Sequence, residues 1–429
     1  MKKTALAAVA AMVFVTGMYA ADFPAYLKMS GTKITGCEKD DIPDNLVIPK
    51  GVTEIGEGAF RQCMYLESVE IPGTVREIGS WAFSGCTSLK SVTIAKGVEK
   101  IGNSAFAKCT SLTSIEIPSS VTIISNRAFA ECTSLASIEI PDSVTIIGDY
   151  DFSDITTSGI RTSGAFFDCK SLKSVILTKG VEKIGSSTFV GCTSLTDITI
   201  PESVTEIGTG AFYNTGLKTV TIPGSVKTMG YGVFWNCKSL ETATISEGVT
   251  TIVSGMFQDC TALVGVTIPN TVTIIAGTRR PNGEEVCQGA FKGCVSLKSI
   301  TIPEGVTEIG EGAFKGSGIT AITIPKGVKR IPEQTFEDCK SLESITLPRS
   351  VTTIGQYALR NCTALKTASI SRNVTEISTD AFNKCDNLTV QFDGTKAQWE
   401  AIRRNGRSIG EFVVHCTDGD FSKQVWQGR

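Results

Sequence analysis

The chain has 429 residues, 41 basic against 43 acidic, for a formal charge of −2. That balance excludes the basic footprint of a nucleic-acid or membrane-surface binder, so neither partner is expected. A hydrophobic content of 41% and a charged content of 20% exclude long disorder.

Residues 1–20 place Lys2 and Lys3 ahead of an apolar run from Ala5 to Val15. A charged n-region before a short h-region reads as a secretory signal peptide and predicts export. Residues 21–48 read as an N-terminal cap, with a Gly31-Thr32 turn between extended runs and then Leu46-Val47-Ile48-Pro49, half of the unit that follows. No later stretch approaches the roughly 20 apolar residues needed to cross a bilayer, so no span is expected in the mature chain.

Residues 49–392 are an array. A phenylalanine returns every 23 residues at Phe60, Phe83, Phe106 and Phe129, and again at Phe166, Phe189 and Phe212. Phe234, Phe257, Phe291, Phe314, Phe336, Leu359 and Phe382 complete fourteen anchors. A period of this length replaces a domain count with one elongated solenoid, in which each unit buries its apolar face only against its neighbours. Two units are one residue short, at Thr215-Gly216-Leu217 and Ser317-Gly318-Ile319.

Within a unit, Leu66 to Ile71 ends in the period-two alternation of a half-buried strand. Pro72 and Gly73 turn the chain, Val75 to Ile78 gives a second extended run, and Ala82 to Cys86 suits one helical or 3₁₀ turn. Twelve of the fifteen cysteines stand three residues after an anchor, beginning with Cys63, Cys86, Cys109 and Cys132. Stacking aligns them in one internal column, where small apolar groups are expected, and Thr215 and Ser317 replace them as size matches. Cys37, Cys287 and Cys416 stand outside the column and are the better candidates for pairing. Residues 393–429 read as a C-terminal cap, with a short helix over Gly394 to Ile402 that puts Trp399 and Ile402 on one side.

The pattern A-F-x-x-C-x-x-L-x-x-I-x-I-P-x-x-V, running from about Pro49 to Phe392, resembles the leucine-rich repeat superfamily and more closely its BspA-type subgroup. The Gly394-Thr395-Lys396-Ala397-Gln398-Trp399 segment resembles that subgroup's usual ending. The resemblance implies an α/β leucine-rich repeat solenoid of about fourteen repeats, a right-handed curved coil with a parallel sheet on its concave side, capped at both ends. It also implies exported or surface proteins of host-associated microbes, some described as adhesins for matrix proteins or host cells.

The exposed column of the strand runs Glu70, Thr93, Glu116, Glu139, Ile176 and then mostly threonine, beside a second column of serine and threonine. β-Branched polar residues suit an exposed strand for solubility alone, and a flat hydroxyl ladder could also order water. The acidic end offers a binding surface through Glu70, Glu116 and Glu139. Two insertions break the period, around Asp149 to Thr162 and around Ala276 to Val286. Tyr150, Phe152 and Ile155 load the first with apolar surface, and Arg279 and Arg280 give the second two cations; both are candidate binding loops.

His415 is the single histidine, and no Cys-His pair, serine triad, C-x-x-C metal spacing or phosphate loop is assembled. No catalytic residue, metal or cofactor is therefore expected. These features predict an exported, non-catalytic binding protein; the family resemblance implies, further, an adhesin for extracellular matrix or cell-surface protein, located on the cell surface or secreted. The alternative is a periplasmic or envelope scaffold that binds another bacterial protein or a polysaccharide.

Overall fold

The computed structural model describes residues 23–148, 163–278, 288–404 and 408–427. The expected signal peptide, Cys287, and the insertion residues Tyr150, Phe152, Ile155, Arg279 and Arg280 lie outside them.

Each 23-residue unit forms one coil with a long and a short strand. Ser68–Ile71 buries Val69 and Ile71 while Glu70 faces out, and it pairs in parallel with Ser91–Ile94, Val69 beside Val92 and Glu70 beside Thr93. Alternation sets this register, because a slip of one residue would turn Glu70 inward. Pro72 closes the next turn by accepting from Val75 N–H at 3.1 Å. The short strand Glu77–Ile78 then pairs with Glu54–Ile55 on one side and Lys100–Ile101 on the other. Valines and isoleucines from both ladders meet in one continuous core.

The third side of the coil departs from the helical turn expected there. In the first anchored coil the N–H groups of Gly58, Phe60 and Gln62 donate to Ser80, Ala82 and Ser84 of the next coil, each at 2.8 Å. The alternate N–H groups of Ala59, Arg61 and Cys63 turn back to Gly56, Gly58 and Phe60 of their own coil. Positive φ at Gly58 (59°) and Gln62 (60°) produces this alternation, and Ser104 (54°) and Lys108 (61°) repeat it. A helical turn would direct every N–H along its own chain and leave the neighbouring carbonyls unmet, so left-handed residues win here. Among the described residues the only α-helix is Lys396–Ala401, so the expected leucine-rich repeat solenoid with its parallel sheet is built almost wholly of β structure.

The anchors stack. Ring centroids from Phe60 through Phe336 lie 5.1 to 5.8 Å apart with planes within 17° of parallel. Leu359 ends the run. The cysteine column is buried as expected, yet its groups are not apolar fillers. The Cys86 thiol donates to Phe60 O at 3.1 Å, Cys109 to Phe83 O at 3.2 Å, and Cys132 to Phe106 O at 3.1 Å. The Phe60 carbonyl thus accepts from the Cys63 N–H of its own coil at 3.2 Å and from the Cys86 thiol of the next. Thr215 and Ser317 sit 3.2 and 3.5 Å from the sulfurs of Cys237 and Cys339, which already donate to Phe212 O and Phe314 O. The hydroxyls are therefore the donors in those two contacts, so hydrogen-bonding capacity as well as size governs the column.

The two shortened coils interrupt both ladders. No long strand forms at Asp197–Ile200 or Ser299–Ile302, the coils just before the deletions, so the long-strand sheet divides into Asn45–Leu177, Gly265–Thr267 with its two predecessors, and Ala321 onward. The short ladder breaks after Thr228–Met229 and after Glu308–Ile309. Pro332 explains the second break, because it stands where Gly310 and Gly355 donate to the preceding coil and has no N–H to give.

Both ends are closed. Leu27–Ser30 and Lys33–Cys37 form the expected hairpin, and Lys33–Cys37 starts the short ladder by pairing with Glu54–Ile55. At the other end, Thr395 and Gln398 form a reciprocal capping box and Trp399 is fully buried against Phe392 and Trp426. The cap holds more than a helix: Ser408–Cys416 joins the long-strand sheet beside Thr389–Phe392 and turns into Gly419–Gln427.

Candidate functional site

The long strands carry their outward column into solvent. Val47, Glu70, Thr93, Glu116, Glu139 and Ile176 follow one another on the N-terminal segment, with Val47 59% and Ile176 52% exposed. Register survives the first insertion, since Glu139 pairs directly with Ile176 although 37 positions separate them. Glu116, Glu139 and Ile176 line one groove of ≈ 530 Å³ together with Ser114, Ser137 and Ser174. Glu70 stands outside that groove, one rung beyond Thr93.

Several charges on the other sides of the coil pair across one repeat: Lys90 with Glu67 at 2.8 Å, Lys100 with Glu77 at 2.8 Å, Arg76 with Glu99 at 3.0 Å, Lys183 with Glu206 at 2.9 Å and Lys366 with Glu343 at 3.0 Å. Among the described residues Glu70, Glu116 and Glu139 have no such partner. Exposed pairs contribute about 0.2–1 kcal/mol each, so their absence here leaves stability almost unchanged and leaves a local negative potential.

The insertions leave from another side of the coil. Gly148 keeps the N–H bond to Ile124 O at 2.9 Å that follows a short strand, and Ser163 resumes the corner by accepting from Arg127 N–H at 3.1 Å. The second leaves after Ala276, which bonds Ile252 O at 2.8 Å, and its base is an antiparallel pair of Gly277–Thr278 with Gln288–Gly289. Both interrupt the coil at the same point, beside the short ladder.

A cleft of ≈ 800 Å³ that sequence reading missed opens on the short-strand side at the second break, lined by Glu308, Gly310, Lys329, Arg330 and Pro332. Its signal was Pro332 at a position other coils use as a donor. It carries charges of both signs, so it presents no net field. Among the described residues no group of acids, cysteines and histidine is arranged to hold a metal, and His415 lies in a cap strand with Nδ1 2.8 Å from Asp420 Oδ1. No helix among them is long and apolar enough to cross a membrane.

The family model described as BspA type leucine rich repeat region matches this chain in six copies, over residues 40–158, 160–279 and 280–389. A leucine-rich cell surface protein of Faecalibacterium prausnitzii is 30% identical, with 89% of this chain and 98% of that one covered and a TM-score of 0.49. A leucine-rich repeat protein of Bacteroides ovatus is 25% identical over 84% of this chain and 94% of its own, with a TM-score of 0.59. No curated protein matches the chain.

Proposed function

We propose, since this chain belongs to the BspA-type leucine-rich repeat family, that it is an exported, non-catalytic adhesin whose long-strand sheet grips a protein of the extracellular matrix or a cell surface. The observation that carries this reading is the column Glu70, Glu116 and Glu139, none of them held in an ion pair among the described residues, flanked by exposed Val47 and Ile176, with Glu116, Glu139 and Ile176 lining one groove. A partner that sets Lys or Arg over Glu116 and Glu139, with an apolar side chain against Ile176, satisfies both features. The insertion residues Tyr150, Phe152, Ile155, Arg279 and Arg280 would add contacts from the adjoining side, reached by a ligand that wraps the coil edge. Lys2, Lys3 and the apolar run after them support export.

The test is capture of matrix proteins by the purified chain, with Glu116→Lys combined with Glu139→Lys. Charge reversal should weaken capture by at least about tenfold, and raised salt should weaken the native protein in the same direction. Removal of residues 149–162, which leaves both flanking ladder bonds in place, should weaken it further. Undiminished capture by the double variant refutes the sheet as the binding face. Labelling of intact cells separates the alternatives, because a chain that surface reagents cannot reach is an envelope scaffold and not an adhesin.

A further inference from the structure

Eleven cysteines of the internal column share one arrangement. From Cys86 to Cys385 each thiol donates to the carbonyl of the anchor residue one coil earlier, at 3.1 to 3.2 Å. Cys63 is the first member of the column and has no anchored coil before it. What meets its sulfur is Cys37, at the end of the cap strand Lys33–Cys37, with the two Sγ atoms 3.6 Å apart. Cys37 is half-buried and open to solvent on one side, while Cys63 is buried at 3% exposure.

We propose that Cys37 and Cys63 form a disulfide in an oxidising compartment, a covalent clasp that fastens the N-terminal hairpin to the first coil. The position suits a clasp, since the other column thiols are sealed between coils and bound to carbonyls, whereas among the described residues this pair is where a column sulfur meets a partner that small oxidants can touch. The oxidant is a low-molecular-weight disulfide such as oxidised glutathione, or an exposed protein disulfide. The Cys37 thiolate attacks it and releases one thiol, and the Cys63 thiolate then attacks the Cys37 sulfur and releases the second. Two thiols of this chain lose two protons and two electrons, and the incoming disulfide becomes two thiols.

Neither sulfur is a ready nucleophile. The contact with Cys63 and burial hold the Cys37 thiol well above the usual range, against the smaller pull of Lys39 and Lys28. The exchange should therefore be slow near neutral pH and faster in mild alkali, where more thiolate is present.

The experiment uses the whole chain in oxidised glutathione at about pH 8.5, followed by alkylation without reduction and peptide mapping. The expected product is a single cross-linked peptide pair joining Cys37 to Cys63, with amides of Leu27–Ser30 and Lys33–Cys37 exchanging about tenfold more slowly than in the reduced protein. Reductant should reverse both changes, and Cys37→Ser, which keeps a small polar group, should fold normally and show neither. Recovery of Cys37 as a free thiol or as a stable glutathione adduct overturns the proposal, as does a bridge between Cys63 and Cys86. A bridge that forms without any slowing of exchange in the hairpin overturns the clasp.

Discussion

Replacing Phe106 tests whether the aromatic stack stabilises the array as rings or only as volume. Phe106 is fully buried between Phe83 at 5.3 Å and Phe129 at 5.6 Å, nearly parallel to both. Phe106→Ala removes the side chain from a packed site and should cost about 4–5 kcal/mol. Phe106→Leu keeps most of the volume but loses two ring pairs worth ~0.5–1.5 kcal/mol each, so about 2 kcal/mol is expected. Phe336 supplies an internal control, because its neighbour Leu359 leaves it one ring partner, Phe314 at 5.5 Å. Phe336→Ala should therefore cost about 1 kcal/mol less than Phe106→Ala. Native-state hydrogen exchange resolved by peptide is the suitable assay, since an array of coils opens locally and a single melting point averages over it. Loss of protection should centre on the coils anchored by Phe83, Phe106 and Phe129 and fade before Phe291. No measurable loss for Phe106→Leu, or equal losses for Phe106→Ala and Phe336→Ala, would refute the ring contribution, and a uniform loss along the chain would refute nearest-neighbour stability.

The buried thiols make the fold sensitive to alkali. Burial pushes Cys132 and Cys339 up to about 12 and Cys237 up to about 11, so the folded state favours the neutral thiol. Their contribution is complete below the unfolded thiol value near 8.5 and is lost as pH rises toward 11–12, by about 1.4 kcal/mol per pH unit for each thiol. Denaturant titrations between about pH 8 and 11 should show the decline, with a shallower slope in Cys132→Ala. At the other end of the chain, Thr395→Ala removes the acceptor for Gln398 N–H at 3.2 Å and should cost about 1 kcal/mol. Faster exchange confined to Lys396–Ala401 and the strands packed on Trp399 would verify it, and unchanged exchange would contradict it.

The repeat period made the solenoid, its two ladders and its core readable, because Phe60, Val69, Ile71 and Ile78 must all point inward in every coil. It also located the outward column of Glu70, Glu116 and Glu139 and the two places where the chain is lengthened. The corner was less legible: Gln62, Ser104 and Lys108 adopt positive φ without the glycine that normally announces it, and only bonding to the next coil forces them to. The thiol bonds were hidden for a related reason, since Cys86 and Phe60 meet across coils and no local pattern records it. At the C-terminus, the alternation of Glu411, Phe412, Val413 and Val414 between open and buried positions and the Thr417-Asp418 turn ahead of Gly419 did announce the missed hairpin. Pairing charges across coils needed three-dimensional register, which is why the isolation of the three glutamates emerged only with the fold.

Both backbone ladders stop at the shortened coils, yet the rings do not: Phe189, Phe212 and Phe234 stay within 5.4 Å of one another in succession, as Phe291, Phe314 and Phe336 do within 5.5 Å. The corner bonds cross the same coils without a gap, with Phe212 N–H on Val233 O at 2.9 Å and Phe314 N–H on Thr335 O at 3.0 Å. Rings and corner bonds together form one continuous edge on which the interrupted strand ladders hang. Twisting the two ends against each other would therefore load that edge along its whole length rather than hinge it at either deletion, and a ligand that seizes the glutamate-bearing strands turns the rest of the coil with them.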